Sequence, residues 1–242
     1  MATKLQSPAE YYIDRREKDL IQRLLKPVDG ERLLDMGCGP GNYLRFFRGK
    51  GCSVTGVDPS QHMLDLARKN LGGRAELCPG DYEDLPFSDN EFDIVTLIFP
   101  DSACNLQNAI NEAIRVCRGR IFFGTINRYS STWAHGMEKT TSSGNAPPSS
   151  IPGLIRLIRL TLPDTTIKWG SSIFFPPKWY PAASSIEESI PVMKNPFGSF
   201  IGLAFPVTYN RITVQDPLGE ASRAKAARGY PAPGAARRRT GR

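Results

Sequence analysis

Residues 33–41, Leu-Leu-Asp-Met-Gly-Cys-Gly-Pro-Gly, constrain the fold of this chain more than any other stretch. An apolar run ends there in three glycines at alternate positions. Glycines so spaced permit positive φ and keep side chains away from whatever approaches the backbone. A buried strand that enters such a turn and leaves as a helix aims backbone N–H groups at a ligand above the sheet edge. That geometry belongs to open α/β sheets, and the flanking sequence continues it.

Ahead of the turn, Ser7-Pro8-Ala9-Glu10 combines a cap residue, a proline at the first helical position and an acid at the third. This capping box predicts a helix running to about Leu25, broken by Pro27-Val28-Asp29-Gly30. Residues 31–36 read as a buried strand, 43–47 as a short helix and 54–58 as a second strand. Ser60 caps a helix that carries Met63, Leu64, Ala67 and Leu71 on one face. Strands follow at 74–78, 92–98 and 121–126. The 92–98 run is almost wholly apolar, as expected where helices cover both faces of a sheet. Leu106, Ile110, Ala113, Ile114 and Cys117 recur at helical spacing between the last two. The alternation predicts a three-layer, doubly wound α/β sheet.

Beyond Asn127 the pattern loosens. Residues 130–150, rich in Ser, Thr, Gly and Pro, read as a loop or lid; 151–162 and 186–194 read as helices, 166–175 and 199–206 as strands. One domain over 1–210 is expected, with an N-terminal helical segment at 1–30. A loop and helix at 127–165 would cover the substrate side. Residues 211–242 hold eight Arg/Lys against two acids and few large apolar residues, a composition expected to stay disordered.

That tail carries most of the net charge of +7, since the first 210 residues hold 23 bases and 22 acids. A body so close to neutral gives no footprint for nucleic acid. No apolar run approaches the roughly 18 residues of a membrane span, so no membrane partner is expected. The beginning of the chain has no apolar stretch of a secretory signal. Its five cysteines are scattered without a CxxC pair, and His62 and His135 are the only histidines. Together these predict a reduced, cytoplasmic protein without a metal site.

Three segments carry the chemistry. The dinucleotide fingerprint G-x-G-x-x-G needs glycine at 42, where this chain has Asn42. The G-x-G-x-G spacing found instead suits a compact nucleoside bearing an amino acid, with Asp35 available to its ammonium group. Asp58 closes the second strand, where a carboxylate can accept from both ribose hydroxyls. Met63, within the next turn, packs either on an adenine or in the core. Asp81, after the third strand, can accept from an adenine amino group, with Tyr82 against the ring.

The motifs LLDMGCGPG, VTGVDPSQHMLDLAR and GDYEDLPFSDNEFDIV resemble successive motifs of class I S-adenosylmethionine-dependent methyltransferases. The nearest group is the methyltransferase type 11, or ubiquinone/menaquinone-biosynthesis, type. The resemblance covers about residues 31–126. It implies a Rossmann-like sheet of about seven strands, mostly parallel with an antiparallel last strand. It also implies S-adenosylmethionine at the carboxyl ends of the first strands and a small-molecule acceptor over strands four and five. Carried onto this chain, Asp35, Gly37, Gly39 and Gly41 would hold the methionine part, Asp58 the ribose, and Asp81 with Tyr82 the adenine. Cys38, Pro59, Met63 and Ile98 complete the expected cofactor contacts.

The departures bear on the acceptor. Strand four leads into Ile98-Phe99-Pro100-Asp101-Ser102, not the [DNS]-P-P-[FYW] tetrad with which similar nucleic-acid enzymes orient an exocyclic amine. Asn127-Arg128-Tyr129-Ser130 places polar groups after strand five, where a substrate would lie; Arg128 suits a carboxylate or phosphate. Phe99, Asn127, Arg128 and Tyr12 are therefore candidate substrate contacts, with Tyr11 and Tyr12 placed to close over the cofactor. Tyr129 and His135 are the candidate bases, neither at a diagnostic spacing. Three other readings stand beside this one: a silent cofactor-binding protein of the same fold, an NAD-dependent oxidoreductase, and a nucleic-acid methyltransferase using the basic tail.

Overall fold

A computed structural model describes residues 7–100, 104–130, 148–176, 179 and 186–207. His135, most of the expected 130–150 loop and the basic tail lie outside these residues.

The first helix, α1 (Pro8–Leu25), starts on the expected capping box: Ser7 Oγ accepts from the Glu10 N–H and the Glu10 carboxylate accepts from the Ser7 N–H. Its inner face lays Ile13, Leu20, Ile21, Leu24 and Leu25 on the sheet. The sheet comprises β1 (Arg32–Met36), β2 (Ser53–Asp58), β3 (Glu76–Pro79), β4 (Phe92–Ile98), β5 (Cys117–Ile126), β6 (Lys168–Ser172) and β7 (Phe200–Pro206). Their order is β3-β2-β1-β4-β5-β7-β6. The first five run parallel, and β7 runs antiparallel to both β5 and β6. The remaining helices are α2 (Asn42–Arg48), α3 (Gln61–Leu71), α4 (Leu106–Val116) and α5 (Ile151–Thr161). The expected three-layer sheet with an antiparallel last strand is therefore present.

Because successive strand residues face opposite sides, neighbours divide between two cores. Leu33 and Phe122 join Leu20, Phe47 and Leu64 beneath α1, α2 and α3. Leu34 and Phe123 join Ile110, Leu154 and Ile158 beneath α4 and α5. Truncating one such fully buried leucine to alanine costs about 2–5 kcal/mol. The register also sets the site: Asp35 pairs with Gly56 on one side and with Thr96 on the other.

Three elements differ from expectation. Cys117 starts β5 rather than finishing α4, since the Arg118 guanidinium grips both oxygens of Asp93 at 2.7 and 3.0 Å and draws the chain into register with Phe92. The strand at 166–175 is shorter because Ile173 takes a left-handed φ of 64°. A helix does not span 186–194. Only a helical turn forms from Ile186, and Pro191, lacking an N–H, cannot continue it. Met193 then bridges to Gly170, and the Lys194 N–H donates to the Trp169 carbonyl, extending the edge of the sheet.

Candidate functional site

The G-x-G-x-G turn sits where β1 ends between β2 and β4, at the point where strand order reverses, the usual ligand crevice of an open α/β sheet. The N–H groups of Gly37 and Cys38 both donate to the Val57 carbonyl, at 2.8 and 3.1 Å, and Gly41 N–H donates to the Cys38 carbonyl at 2.9 Å. Gly37 has φ 75°, and a Cβ there would meet the Tyr82 ring at 2.8 Å, so that ring lies across the turn. Gly41, at φ 85°, precedes α2 and would strike Leu71 at 2.9 Å. A Cβ on Gly39 would meet nothing within 4 Å, which marks the open side of the turn.

Two acids frame the turn in different ways. Asp35 is buried at the end of β1, where Thr96 Oγ1 donates to its Oδ1 at 2.7 Å. Its Oδ2 has no hydrogen-bond partner among the described residues. Burial raises this carboxyl to about 7; the Thr96 hydrogen bond opposes the rise and the charge of Asp58 adds to it. Asp58, also buried, accepts from Gly39 N–H on Oδ2 and from Ser60 N–H on Oδ1, both at 2.9 Å. It thus ties the turn to the cap of α3, and each oxygen keeps a second acceptor position.

Asp81 is exposed at the end of β3, with Oδ1 accepting from the Glu83 N–H at 3.1 Å. Pro59 is exposed beside Asp58, and Met63 is 38% exposed on α3, which removes the core alternative for it. The Ile98 side chain packs in the core beneath α1, so only its backbone lies at the crevice. Cys38 is buried below the turn, where burial first, then Asp35 and Asp58, push its thiol far above the ordinary range. It is no nucleophile.

The acceptor side is assembled differently. Phe99 takes a left-handed φ of 53°; its N–H donates to the Gly124 carbonyl and its ring lies 5.2 Å from that of Phe200. Asn127 is buried, and its Nδ2 donates to the carbonyls of Pro196 and Gly198 at 2.7 and 2.8 Å while Oδ1 accepts from the Tyr129 N–H. Its amide therefore binds the protein rather than facing outward as an acceptor contact would. Arg128 and Tyr129 are exposed, the latter by 71%. Tyr12 is buried on α1, unlike exposed Tyr11, so the two tyrosines do not form one flap.

Sequence reading missed Thr96, Glu17 and Tyr43. Glu17 is fully buried and accepts from the Tyr43 hydroxyl at 2.8 Å, joining α1 to α2. Burial, followed by the Glu17 charge, holds the Tyr43 hydroxyl well above its ordinary value, and Asp14 and Asp35 add to this. A signal was available. Glu17 stands four residues after Ile13 and three before Leu20, an acid on the apolar stripe of an amphipathic helix. Among the described residues no cluster of His, Cys, Asp and Glu could hold a metal ion.

Comparison with known proteins supplies the context for this crevice. Residues 33–119 match the family model of the methyltransferase domain. A demethylmenaquinone methyltransferase of Clavibacter sepedonicus is 36% identical over 104 residues, which cover 41% of this chain and 42% of that protein. A malonyl-[acyl-carrier protein] O-methyltransferase of Enterobacter lignolyticus is 34% identical over 117 residues, 47% of this chain and 46% of that protein. The chain thus spans less than half the length of either relative. In fold it is similar to a SAM-dependent methyltransferase, possible histamine N-methyltransferase, from Thermotoga maritima. That structure aligns with a TM-score of 0.61 at 22% identity, covering 82% of this chain and 92% of its own.

Proposed function

We propose that this chain, which matches a methyltransferase domain over residues 33–119, is a class I S-adenosylmethionine-dependent enzyme that transfers a methyl group to a small-molecule acceptor. The observation that carries the reading is the open Oδ2 of buried Asp35 beside a turn whose glycines admit a ligand to the backbone. A buried acid without a partner is costly unless a cation or donor meets it. An amino acid ammonium is such a partner, and it fits the donor-poor, acid-rich base of the crevice.

In this reading Asp35 holds the ammonium and loses its proton as the ligand enters. Asp58 keeps the turn formed through Gly39 and offers its remaining lone pairs to ribose hydroxyls. Tyr82 shelters the turn, and Asp81 and Met63 flank the adenine. S-adenosylmethionine supplies an electrophilic methyl on a sulfonium, a leaving group that needs no protonation. The protein's part is then mainly placement, worth about 7–11 kcal/mol when the reacting atoms are held in line. The half-buried Phe99, backed by Phe200 in the core, faces the acceptor side, Arg128 stands at its rim, and Tyr129 and His135 are the candidates for removing a proton.

Residues 1–210 would make the catalytic domain and 211–242 a basic extension. Among the described residues no helix is long and apolar enough to cross a membrane. The free thiols of all five cysteines support a reducing, cytoplasmic setting.

Calorimetric titration of the chain with S-adenosylmethionine and its demethylated product tests the reading. Micromolar binding is expected, with Asp58→Ala weakening it by about tenfold or more, the loss of charge-assisted hydrogen bonds. A folded protein that binds neither compound at millimolar concentration would exclude the methyltransferase reading.

A further inference from the structure

Helix α5 carries more apolar surface than its packing uses. Its sequence, IPGLIRLIRLT, buries Ile151, Leu154 and Ile158 against the core beneath α4. Pro152 and Leu160 remain exposed, Leu160 by 68%, with Ile155 half-buried between them. Beside this face, Trp169 of the edge strand β6 closes a groove of about 550 Å³. Arg156 and Arg159 line the same groove, and neither makes a hydrogen bond or ion pair among the described residues. Arg45, Arg48, Arg74 and Arg128 share that lack of a carboxylate partner among the described residues, whereas Arg23, Arg32, Arg68, Arg115, Arg118 and Arg120 are each matched to one.

We propose that the α5–β6 face is a docking surface for an anionic lipid bilayer. Two free guanidiniums, one turn apart, flank a row of side chains that water solvates poorly. Arginine stems can lie along apolar surface while their heads reach phosphate oxygens. A half-buried tryptophan suits the headgroup level. Binding of an interfacial helix grows with its apolar area and with attraction to anionic lipid. Charge disfavours the 211–242 segment as the occupant, since it holds eight bases against two acids. This assignment departs from the expectation of no membrane partner, which rested only on the lack of a spanning segment.

Sedimentation of the full chain with vesicles gives the test, comparing phosphatidylcholine alone with phosphatidylcholine containing phosphatidylserine. The wild-type chain is expected to co-sediment only with the second. Arg156→Gln/Arg159→Gln should lower that partition by about tenfold, given the share of surface attraction each cation carries. Leu160→Ser should lower it severalfold even at low salt, where a purely electrostatic contact would be unmoved. Cofactor affinity should stay unchanged in both variants, which checks that they fold. Equal partition of wild type and variants would assign the binding to the basic tail and overturn the proposal. So would failure to sediment, or capture by polyglutamate instead of vesicles, which would put an acidic protein there.

Discussion

The crevice at β1–β2 and the rim at β5–β7 face the same edge of one sheet but are built on opposite plans. In the crevice the backbone ties of the turn are short in sequence, while Thr96 reaches Asp35 across 61 positions. Gly37 and Cys38 reach Val57, Gly39 reaches Asp58, and Tyr82 lies over Gly37. At the rim several of the ties are longer, reaching 171 positions. Asn127 holds Pro196 and Gly198, Ser171 accepts from Gly198 N–H and donates to the Asn195 carbonyl, and Arg16 meets Glu187. A ligand site made of local turns can be carried by a motif. A site made of long-range closure depends on what every participating segment contributes, and it is free to change as they change. The family match follows this division, ending at 119 before the rim is assembled.

The largest effect should come from Gly37→Val. It forces a side chain into the Tyr82 ring at a φ that only glycine tolerates well, and cofactor affinity should fall about 100-fold or more, the equivalent of about 2.7 kcal/mol or more. Titration calorimetry, with circular dichroism to confirm the fold, reads it; normal affinity would break the assignment of the crevice.

Asp35→Asn should weaken cofactor binding by about tenfold, as expected when a charged partner becomes neutral. Its effect on stability has the opposite sign. The carboxyl ionises near 3.8 when unperturbed and near 7 in the folded chain. Between those values the folded state holds a proton that the unfolded state has released. The contribution of Asp35 is therefore greatest below 3.8 and is lost as pH rises to 7. At pH 8 the variant should melt about 2 °C or more above wild type, judged from the scaling of melting temperature with stability. The same linkage makes wild-type affinity rise from pH 6 to pH 8, with a proton released on binding. Equal calorimetric heats in buffers of different ionisation enthalpy would contradict that.

Asn127→Ala sharpens the comparison from the rim. It strands two carbonyls and one N–H, costing about 1–3 kcal/mol in denaturant unfolding, while cofactor affinity should stay within about twofold, the limit for a site not in contact. A large loss of cofactor affinity would show that the two regions are one unit. Tyr129→Phe should have the least effect on cofactor affinity and melting, both expected to be unmoved because the side chain is exposed. Turnover with an identified acceptor separately reads whether Tyr129 removes a proton, in which case the substitution would cost about 100-fold or more.

Legibility followed the same line. The capping box at Ser7, the Ser60 cap and the apolar run of β4 follow from local chemistry, and each appears where the sequence places it. The three acids at successive strand ends were readable for the same reason. Thr96 was not, because only the parallel register of β1 with β4 brings its hydroxyl to Asp35. Asn127 looked like a substrate contact since it stands at the end of a strand. The loop that consumes its amide is about 70 residues away in sequence, as its partners Pro196 and Gly198 show. The segment after Ile186 misled through its apolar spacing, which the bridge between Met193 and Gly170 overrides.

One consequence of the strand order concerns synthesis. Among the described residues β7 is the last strand along the chain although it lies inside the sheet. β6 pairs with β7 on one side and meets the Met193–Lys194 segment on the other. As the polypeptide emerges, the five parallel strands can assemble once residue 126 is out. Until residue 206 follows, β5 is an open edge and β6 lacks its strand partner. An unpaired edge invites pairing with other chains. A ribosome pausing between those points would hold an aggregation-prone intermediate, and a chain released early would leave that edge permanently unsealed.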